Sequence, residues 1–534
     1  MIALILQAVL TVLFAVLVID FNVLPTLYVI VAMAVLLGLL AMNFFFWKKK
    51  RTLRIIEIIV AVLISIILAV GSFFIIRANI VLDTITGDGY SIHIYKVIVM
   101  KDDPATSIKD AKDYTFGTIP DFEYDEYDEA IAQLNKKAGK TIETVSYPGL
   151  GNMLNALYSG EVDGLIYESS FGGMLDDINE EYYLDIKSIE EVSIKSANTV
   201  TQEITTAEVT TSAPETTAPA TLETEAAEET TEEESTEKEE IHIDPFIVYL
   251  SGNDEYNEVS VTGRSDVNIL AVVNFDTHQV LLVSVPRDYY LEFPGIGDGS
   301  KDKLTHAGIY GIDTSVNTLA ALFETSVQYY ARVNFTSVVN IIDAIGGLAF
   351  YNPYEFRTTY YDYYFAEGEV WCDGWQALQY MRERKSLEGG DLARGEHQQI
   401  VIKAMIDKLV SAASITHYNA LMDAIESCAI TNMSSDLLKL IVKKQLQEGG
   451  EWEILRAQAD GYEDYQECYA AGGMELAVVI PYQESVDEIK VQIAQVLAGT
   501  YTENEEPAET ASDGAEPAEE TAVTISEELT DEEN

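Results

Sequence analysis

Residues 263–288 read GRSDVNILAVVNFDTHQVLLVSVPRD, and this stretch decides the fold of the largest part of the chain. Residues 266–275 and 279–286 are rich in Val, Ile and Leu, and Asp276-Thr277-His278 turns one run back on the other as a hairpin. PFIVYLSG (245–252), VQYYARVNF (327–335), GLAFYN (347–352) and MELAVVIP (474–481) read as further strands. Helical periodicity marks Ser315 to Phe323, Thr336 to Ile345, Ile400 to Val410, Ser435 to Gln445 and Val486 to Ala498. Helices interleaved with a mixed sheet imply an α/β fold, a three-layer α/β/α domain over residues 241–500.

Charged clusters sit at the strand ends of this domain, where open α/β sheets place ligands. Gly263-Arg264-Ser265-Asp266 precedes one strand, Val285-Pro286-Arg287-Asp288 ends the next, and Asp302-Lys303-Leu304-Thr305-His306-Ala307 opens a helix. A fourth cluster, MRERKSLEGGDLARGEHQQ (381–399), sets Arg382, Arg384 and Arg394 around Asp391, although only eleven arginines occur in all 534 residues. Arg382 and Arg384 end a helix expected over Asp373 to Tyr380, Gly389-Gly390 breaks it, and Asp391 can cap the next, with Arg394 and Gln398 four apart on one face. Planar guanidinium groups hold phosphate oxygens bidentately, so several together form an anion clamp suited to a pyrophosphate. One Arg-x-Arg alone is more often a solvated helix end; four clusters in one domain are not. Asp254 and Asp266 are candidates to hold a hard divalent cation such as Mg2+, which takes one or two carboxylates together with phosphate oxygens.

The net charge is -55, and the apolar residues concentrate at the N-terminus. Ile2 to Ile19, Val23 to Trp47 and Ile55 to Ile76 are each about the 20 residues that a bilayer core requires, so residues 1–80 are expected to form three transmembrane helices. Lys48, Lys49, Lys50, Arg51 and Arg54 lie between the second and third, which holds that loop in the cytoplasm and puts everything after Arg77 outside. An acidic body outside the membrane excludes nucleic acid as a partner. Cys372, Cys428 and Cys468 show no metal-site spacing, and His242, His278, His306 and His397 are dispersed.

Residues 81–195 read as a small α/β domain, with strands at 92–100 and 114–119, a helix from Tyr127 to Ala138 and a strand at TIETVSY (141–147). Its segments KDDPATSIKDAKDYTFGT (101–118) and MLNALYSGEVDGLIYE (153–168) resemble one lobe of extracellular solute-binding proteins. A clamp for a solute needs two lobes, so a spacer or partner-docking role is expected. Residues 196–240 are built almost wholly of Thr, Glu, Ala, Ser and Pro, a linker of on the order of 35 to 40 Å as a coil. Residues 501–534 form a second acidic tail of the same kind. A chain of residues 241–501 is expected to fold by itself on this reading.

Taken together, GRSD, SVPRD, DKLTHA, YYARVNF, DAIGGL, W-x-A-L-x-Y-M-R-E-R, GGDLAR and HQQ-x-V-I-K-A resemble the LytR-CpsA-Psr family in order and spacing across the whole domain. The resemblance implies an α/β/α sandwich with an apolar tunnel for a polyprenyl phosphate lipid. It also implies transfer of a teichoic-acid-like or capsule-like glycopolymer from polyprenyl pyrophosphate to peptidoglycan at the bacterial cell membrane. By resemblance, Asp254 and Asp266 bind Mg2+ (or Mn2+). Arg264, Arg287, Lys303, Arg382, Arg384, Arg394 and Gln398 bind the pyrophosphate or support catalysis, and Asp391 positions the arginines or assists proton transfer. Two departures stand out: His397 occupies a position where many members have arginine, which weakens one anion contact or makes it pH-dependent, and Leu291 one where some members have a basic residue. Hydrolysis of the lipid pyrophosphate would use the same residues. A lipid-binding envelope regulator without turnover is disfavoured by the presence of both aspartates.

Overall fold

The computed structural model describes residues 2–46, 51–86, 90–119, 125–147, 149–172, 174–175, 182–197, 241–253, 262–409 and 418–502. Asp254, Lys48 to Lys50, nearly all of the 196–240 linker and all but the start of the 501–534 tail lie outside the described residues.

Three apolar helices open the chain: α1 (Ile2–Phe21), α2 (Thr26–Phe46) and α3 (Arg51–Ile85), each long and apolar enough to cross a membrane. The third is longer than its apolar run. At 35 residues it is roughly 50 Å long, against about 30 Å of bilayer core, so its last turns extend past the length that such a core requires. Val81 to Ile85, assigned by sequence to the next domain, belong to this extension. Arg77 at its base donates to Asp423 (2.6 Å) and Glu426, and Ser435 donates to Asp83 (3.2 Å) near the helix end. Lys443 donates to Asn22, in the turn after α1 (3.3 Å). The main domain is therefore seated on the apolar helices, and the linker is not its sole connection to them.

The accessory lobe contains β1 (Tyr90–Met100), β2 (Thr115–Thr118), α4 (Asp125–Ala138), β3 (Glu143–Ser146), α5 (Leu150–Ser159), β4 (Gly164–Glu168) and β5 (Ile186–Ala197). The sheet order is β3-β2-β4-β1-β5, and β1 runs antiparallel to both neighbours. Ser196 and Ala197, assigned by sequence to the linker, complete β5 opposite Ser91 and Tyr90. Period-two alternation divides the faces of β1. Tyr95, Val97 and Val99 face α4 with Ala130 and Leu134, while Ile98 packs with Leu150, Leu154 and Leu157 of α5. That second face joins the core of the main domain. A Cβ at Gly149 would stand 2.1 Å from Gly472 Cα, so only glycine admits this backbone approach. Thr262 bridges the lobes, its N–H donating to Ile92 O (3.1 Å) and its hydroxyl to Glu168 (2.6 Å).

The main domain contains β6 (Phe246–Asn253), β7 (Ser265–Asn274), β8 (Gln279–Ser284), β9 (Tyr290–Glu292), β10 (Lys301–Lys303), α6 (Ile312–Phe323), β11 (Tyr329–Asn334), α7 (Phe335–Ala344) and β12 (Leu348–Asn352). It continues through β13 (Phe356–Arg357), β14 (Tyr364–Phe365), β15 (Gly368–Cys372), α8 (Gly374–Arg382), α9 (Gly390–Leu409), α10 (Tyr418–Cys428), β16 (Ala429–Thr431) and α11 (Ser435–Glu448). It closes with β17 (Glu453–Gln458), β18 (Gly461–Cys468), β19 (Met474–Pro481) and α12 (Gln483–Leu497).

The central sheet is mixed, in the order β16-β11-β6-β7-β8-β17. Alternate residues separate its layers: Ile247, Tyr249, Leu270, Val272, Leu281 and Val283 pack with α6 and α12. Phe246, Val248, Ile269, Ala271, Val280 and Leu282 face α9 and α11. The domain is thus the expected α/β/α sandwich. MELAVVIP lies outside the central sheet, paired with β18 in a separate ribbon. Because β7 and β8 are antiparallel, the residues before one and after the other meet at a single edge, bringing Arg264 and Asp266 to Arg287 and Asp288.

Candidate functional site

Between the second face of the sheet and helices α7, α8 and α9 lies a cavity of about 950 Å3. Its walls are apolar over most of their length, with Val248, Ala271, Val280 and Leu282 from the sheet and Ile341, Leu378, Met405 and Ile406 from the helices. One end is cationic: Arg264, Arg287, Arg382, Arg384 and Arg394 border it, together with Asp266 and Gln398. Cavities of this volume accommodate a small or extended organic ligand. Here the shape separates an apolar portion of a ligand from an anionic one.

The arginines are held in place by carboxylates. Arg287 Nη1 lies 2.7 Å from Asp266 Oδ1, which also accepts from Thr305 Oγ1 (3.2 Å). Asp288 gathers Lys303 Nζ (3.4 Å), Arg287 Nε (3.5 Å) and Arg384 Nη1 (3.7 Å). Arg394 Nη2 meets Asp391 at 2.6 Å. Arg382 ends α8 and lies over the Phe335 ring, 4.3 Å from its centroid. Burial raises the Asp266 carboxyl, but Arg287, with Arg264 and Arg394, outweighs it and holds the group well below the usual carboxylate range. Asp288 behaves alike, burial being outweighed by Arg287, Lys303, Arg394 and Arg384. Burial lowers the Arg394 guanidinium, with Asp391 opposing. Cations still outnumber carboxylates at this end, inside a chain of charge -55.

The capping box of Asp373 and Gln376 starts α8 at Gly374, one residue after the expected start, and the helix runs to Arg382, two residues past the expected end. Helix α9 starts at Gly390, close to the start expected from Asp391, although its apolar period begins only at Ile400. Its first turns, DLARGEHQQ, border the site or run behind it and carry no apolar stripe. Asp391 therefore lies within the first turn instead of capping it, a position that the helix dipole also favours.

Lys303 and Asp391 stand one layer back, contacting Asp288 and Arg394 respectively. Leu291 is a core residue paired opposite Asp302. His397 does not contact the cationic end: it is fully buried, stacked on Tyr380 (4.0 Å between ring centroids) and Phe356 (4.9 Å), with Nδ1 3.1 Å from Tyr380 O. Burial lowers it to about 4, so it is neutral at neutral pH and contributes no pH-dependent anion contact. The imidazole depressed in the fold contributes stability above its unfolded value near 6.5, which is lost as pH falls toward 4. The melting temperature of the wild type should drop across that interval, and His397→Phe should flatten the drop.

Asp288, Thr305 and Glu383 were not singled out from the sequence, although each stands inside a quoted motif. Glu383 accepts from Thr359 N (2.6 Å), Thr359 Oγ1 (2.9 Å), Ser386 N (2.9 Å) and Arg384 N (3.0 Å), fixing the chain between Arg382 and Arg384. Cys372 and Cys468 are buried free thiols. Among the described residues no group of three or more His, Cys, Asp or Glu side chains forms a metal site. Asp266 borders the cavity as an ionised carboxylate, the donor type that a divalent cation takes, and phosphate oxygens would be needed to complete a shell.

Residues 215–478 match the family model described as the LytR_cpsA_psr family. The chain is 35% identical over 206 residues to a protein of Oceanobacillus iheyensis named polyisoprenyl-teichoic acid–peptidoglycan teichoic acid transferase TagU, covering 37% of this chain and 62% of that one. A protein of the same name from Enterococcus faecalis is 34% identical over 200 residues, covering 37% of this chain and 65% of its own. The chain thus spans less than two thirds of the length of these relatives. Among solved structures, Bacillus subtilis TagV aligns with a TM-score of 0.41 at 23% identity over 48% of this chain and 99% of that one. TagT bound to LI-WTA aligns with a TM-score of 0.38 at 26% identity over 48% and 91%.

Proposed function

With residues 215–478 matching the LytR_cpsA_psr family model, we propose that the protein is a member of that family, a membrane-anchored phosphotransferase that moves a glycopolymer from a polyprenyl pyrophosphate carrier to peptidoglycan. The observation that carries this reading is the cavity, an apolar sleeve closed at one end by five arginines. The polyprenyl tail occupies the sleeve and the pyrophosphate meets the arginines. Orientation follows from the basic segment between α2 and α3, which stays in the cytoplasm and leaves the cavity outside the membrane. The relatives' names supply teichoic acid and peptidoglycan as the polymer and acceptor class.

In the transfer, an acceptor sugar hydroxyl forms a bond to the polymer-linked phosphorus as the bond to the lipid phosphate breaks. Polyprenyl phosphate leaves, and the hydroxyl proton is released at the mouth. Arg382, Arg384 and Arg264 neutralise the charge on the phosphoryl oxygens, which is the main contribution of protein to such reactions. Asp266, Asp288 and Asp391 aim Arg287, Arg384 and Arg394 before substrate arrives. Asp266, with Asp254, would hold Mg2+ or Mn2+, which supplies further neutralisation of the phosphates when bound.

The test is transfer of radiolabelled lipid-linked polymer to peptidoglycan by the purified full chain. Wild type should give peptidoglycan-linked product, and Arg382→Lys should lower its rate by about 10- to 100-fold, because lysine keeps the charge but loses the bidentate fork. Free polymer in place of linked product would make the protein a pyrophosphate hydrolase. Unchanged transfer by Arg382→Lys would remove the clamp from the mechanism.

A further inference from the structure

Between β13 and β14 the chain makes a short loop, 358–363, beside the cationic end of the cavity. Tyr360 and Tyr361 at its tip are 62% and 67% exposed, and Tyr364 on the return strand is 52% exposed. Large apolar rings this open are unusual side by side. The loop is nonetheless well fixed. Thr359 is strapped by two hydrogen bonds to Glu383, between the arginines Arg382 and Arg384. Thr358 donates its backbone N–H to Tyr363 O (2.9 Å) and its hydroxyl to Tyr360 O (2.6 Å).

Tyr361 and the following Asp362 have φ of 67° and 50°. Glycine or asparagine takes this left-handed conformation at little cost, whereas a bulky ring there is rare. Strain of this kind concentrates at functional positions. The ring of Tyr361 rests edge-on against Trp375 (5.4 Å between centroids), and Lys385 Nζ lies over Tyr360 (5.8 Å). Tyr360 and Lys385 both border the mouth of the cavity.

We propose that Tyr360 and Tyr361 form a platform for the acceptor saccharide strand. A pyranose ring offers a face of C–H groups bounded by hydroxyls; an aromatic ring takes that face through burial and dispersion, while the phenol hydroxyls and Lys385 meet the rim. The inference rests on the transferase reading for its choice of ligand: with the lipid tail in the sleeve and the pyrophosphate at the arginines, the acceptor enters at the open mouth, where this loop stands.

The test combines saturation-transfer NMR, using soluble peptidoglycan glycan strands and the full chain in detergent, with transfer kinetics on wild type, Tyr360→Ala and Tyr361→Asn. Asparagine suits the left-handed position, so Tyr361→Asn should melt no lower than wild type, which separates lost recognition from lost folding. Wild type should show saturation of the sugar protons, and both variants should lose it. The acceptor KM should rise about tenfold in each, with kcat within about twofold and the amount of co-purified lipid unchanged. Wild-type KM in both variants would overturn the platform. If wild type transfers no polymer but the glycan signal is present and lost in the variants, the platform stands and the transferase reading fails.

Discussion

Asp266→Ala is expected to abolish transfer, lowering it by at least about a thousandfold, because one carboxylate serves two purposes. It holds Arg287 at 2.7 Å, and on the proposed reading it also helps to hold a divalent cation. Its loss leaves a guanidinium that is 11% exposed without its nearest counter-ion. Breaking a recessed pair in this way costs about 3 kcal/mol of stability. Asp266→Asn separates the two roles, since the amide oxygen can still accept from Arg287 and Thr305 but lacks the charge a cation requires. If the residue only aims Arg287, the asparagine variant should keep a substantial part of the rate. On the cation reading it should be as inactive as alanine, and Mg2+ or Mn2+ should raise the melting temperature of wild type but of neither variant. Transfer by Asp266→Ala at the wild-type rate would remove both roles.

A chain beginning at Ile241 should aggregate or melt more than about 10 °C below the full protein. The accessory lobe shares its inner face with the main domain: Leu150, Leu154, Leu157 and Phe171 belong to the same core as Tyr289, Phe293, Tyr310 and Val478. Each large side chain uncovered costs about 1.5 to 3 kcal/mol, and a few of them approach the whole net stability of a domain, about 5 to 15 kcal/mol. Circular dichroism melting of the shortened chain beside the full one measures the difference. Equal melting temperatures would show that the shared core contributes little, as the sequence reading of two independent units implies.

Much of the sandwich was legible because strands buried on both faces, such as residues 266–275, are apolar enough to stand out, and hairpin geometry then determines which charged ends meet. The α/β/α layering and most helix positions follow from that periodicity. Less visible were elements with weak patterns: β17 and β18 carry EILRAQ and GYEDYQEC, mixed polar sequences at a sheet edge and in a ribbon. In helix α9 the apolar period begins only at Ile400, because residues facing a polar site have no apolar stripe, and its first turns are legible from the Gly389-Gly390 break and Asp391 instead. In the site, arginines were legible by their rarity in an acidic chain, whereas Asp288 was not, since its role depends on Lys303 and Arg384 arriving from distant segments. For His397 the weakened contact holds and the pH-dependent one does not, because position in a motif does not determine which way a ring turns; here it turns into Phe356 and Tyr380. The union of the two lobes was hidden for a similar reason, since the contact of Gly149 with Gly472 joins residues more than 300 positions apart.

The central claim is that the cavity between the sheet and α7, α8 and α9 holds the tail of a polyprenyl phosphate with its head among the arginines. Native mass spectrometry of the full chain, purified from its membrane in mild detergent, measures this directly. The account predicts a bound species with the mass of a polyprenyl phosphate or pyrophosphate in the wild type, excluded from Leu282→Trp, whose larger ring fills the sleeve. A wild-type protein that carries no isoprenoid lipid, or a Leu282→Trp variant that retains it in full, would contradict the account.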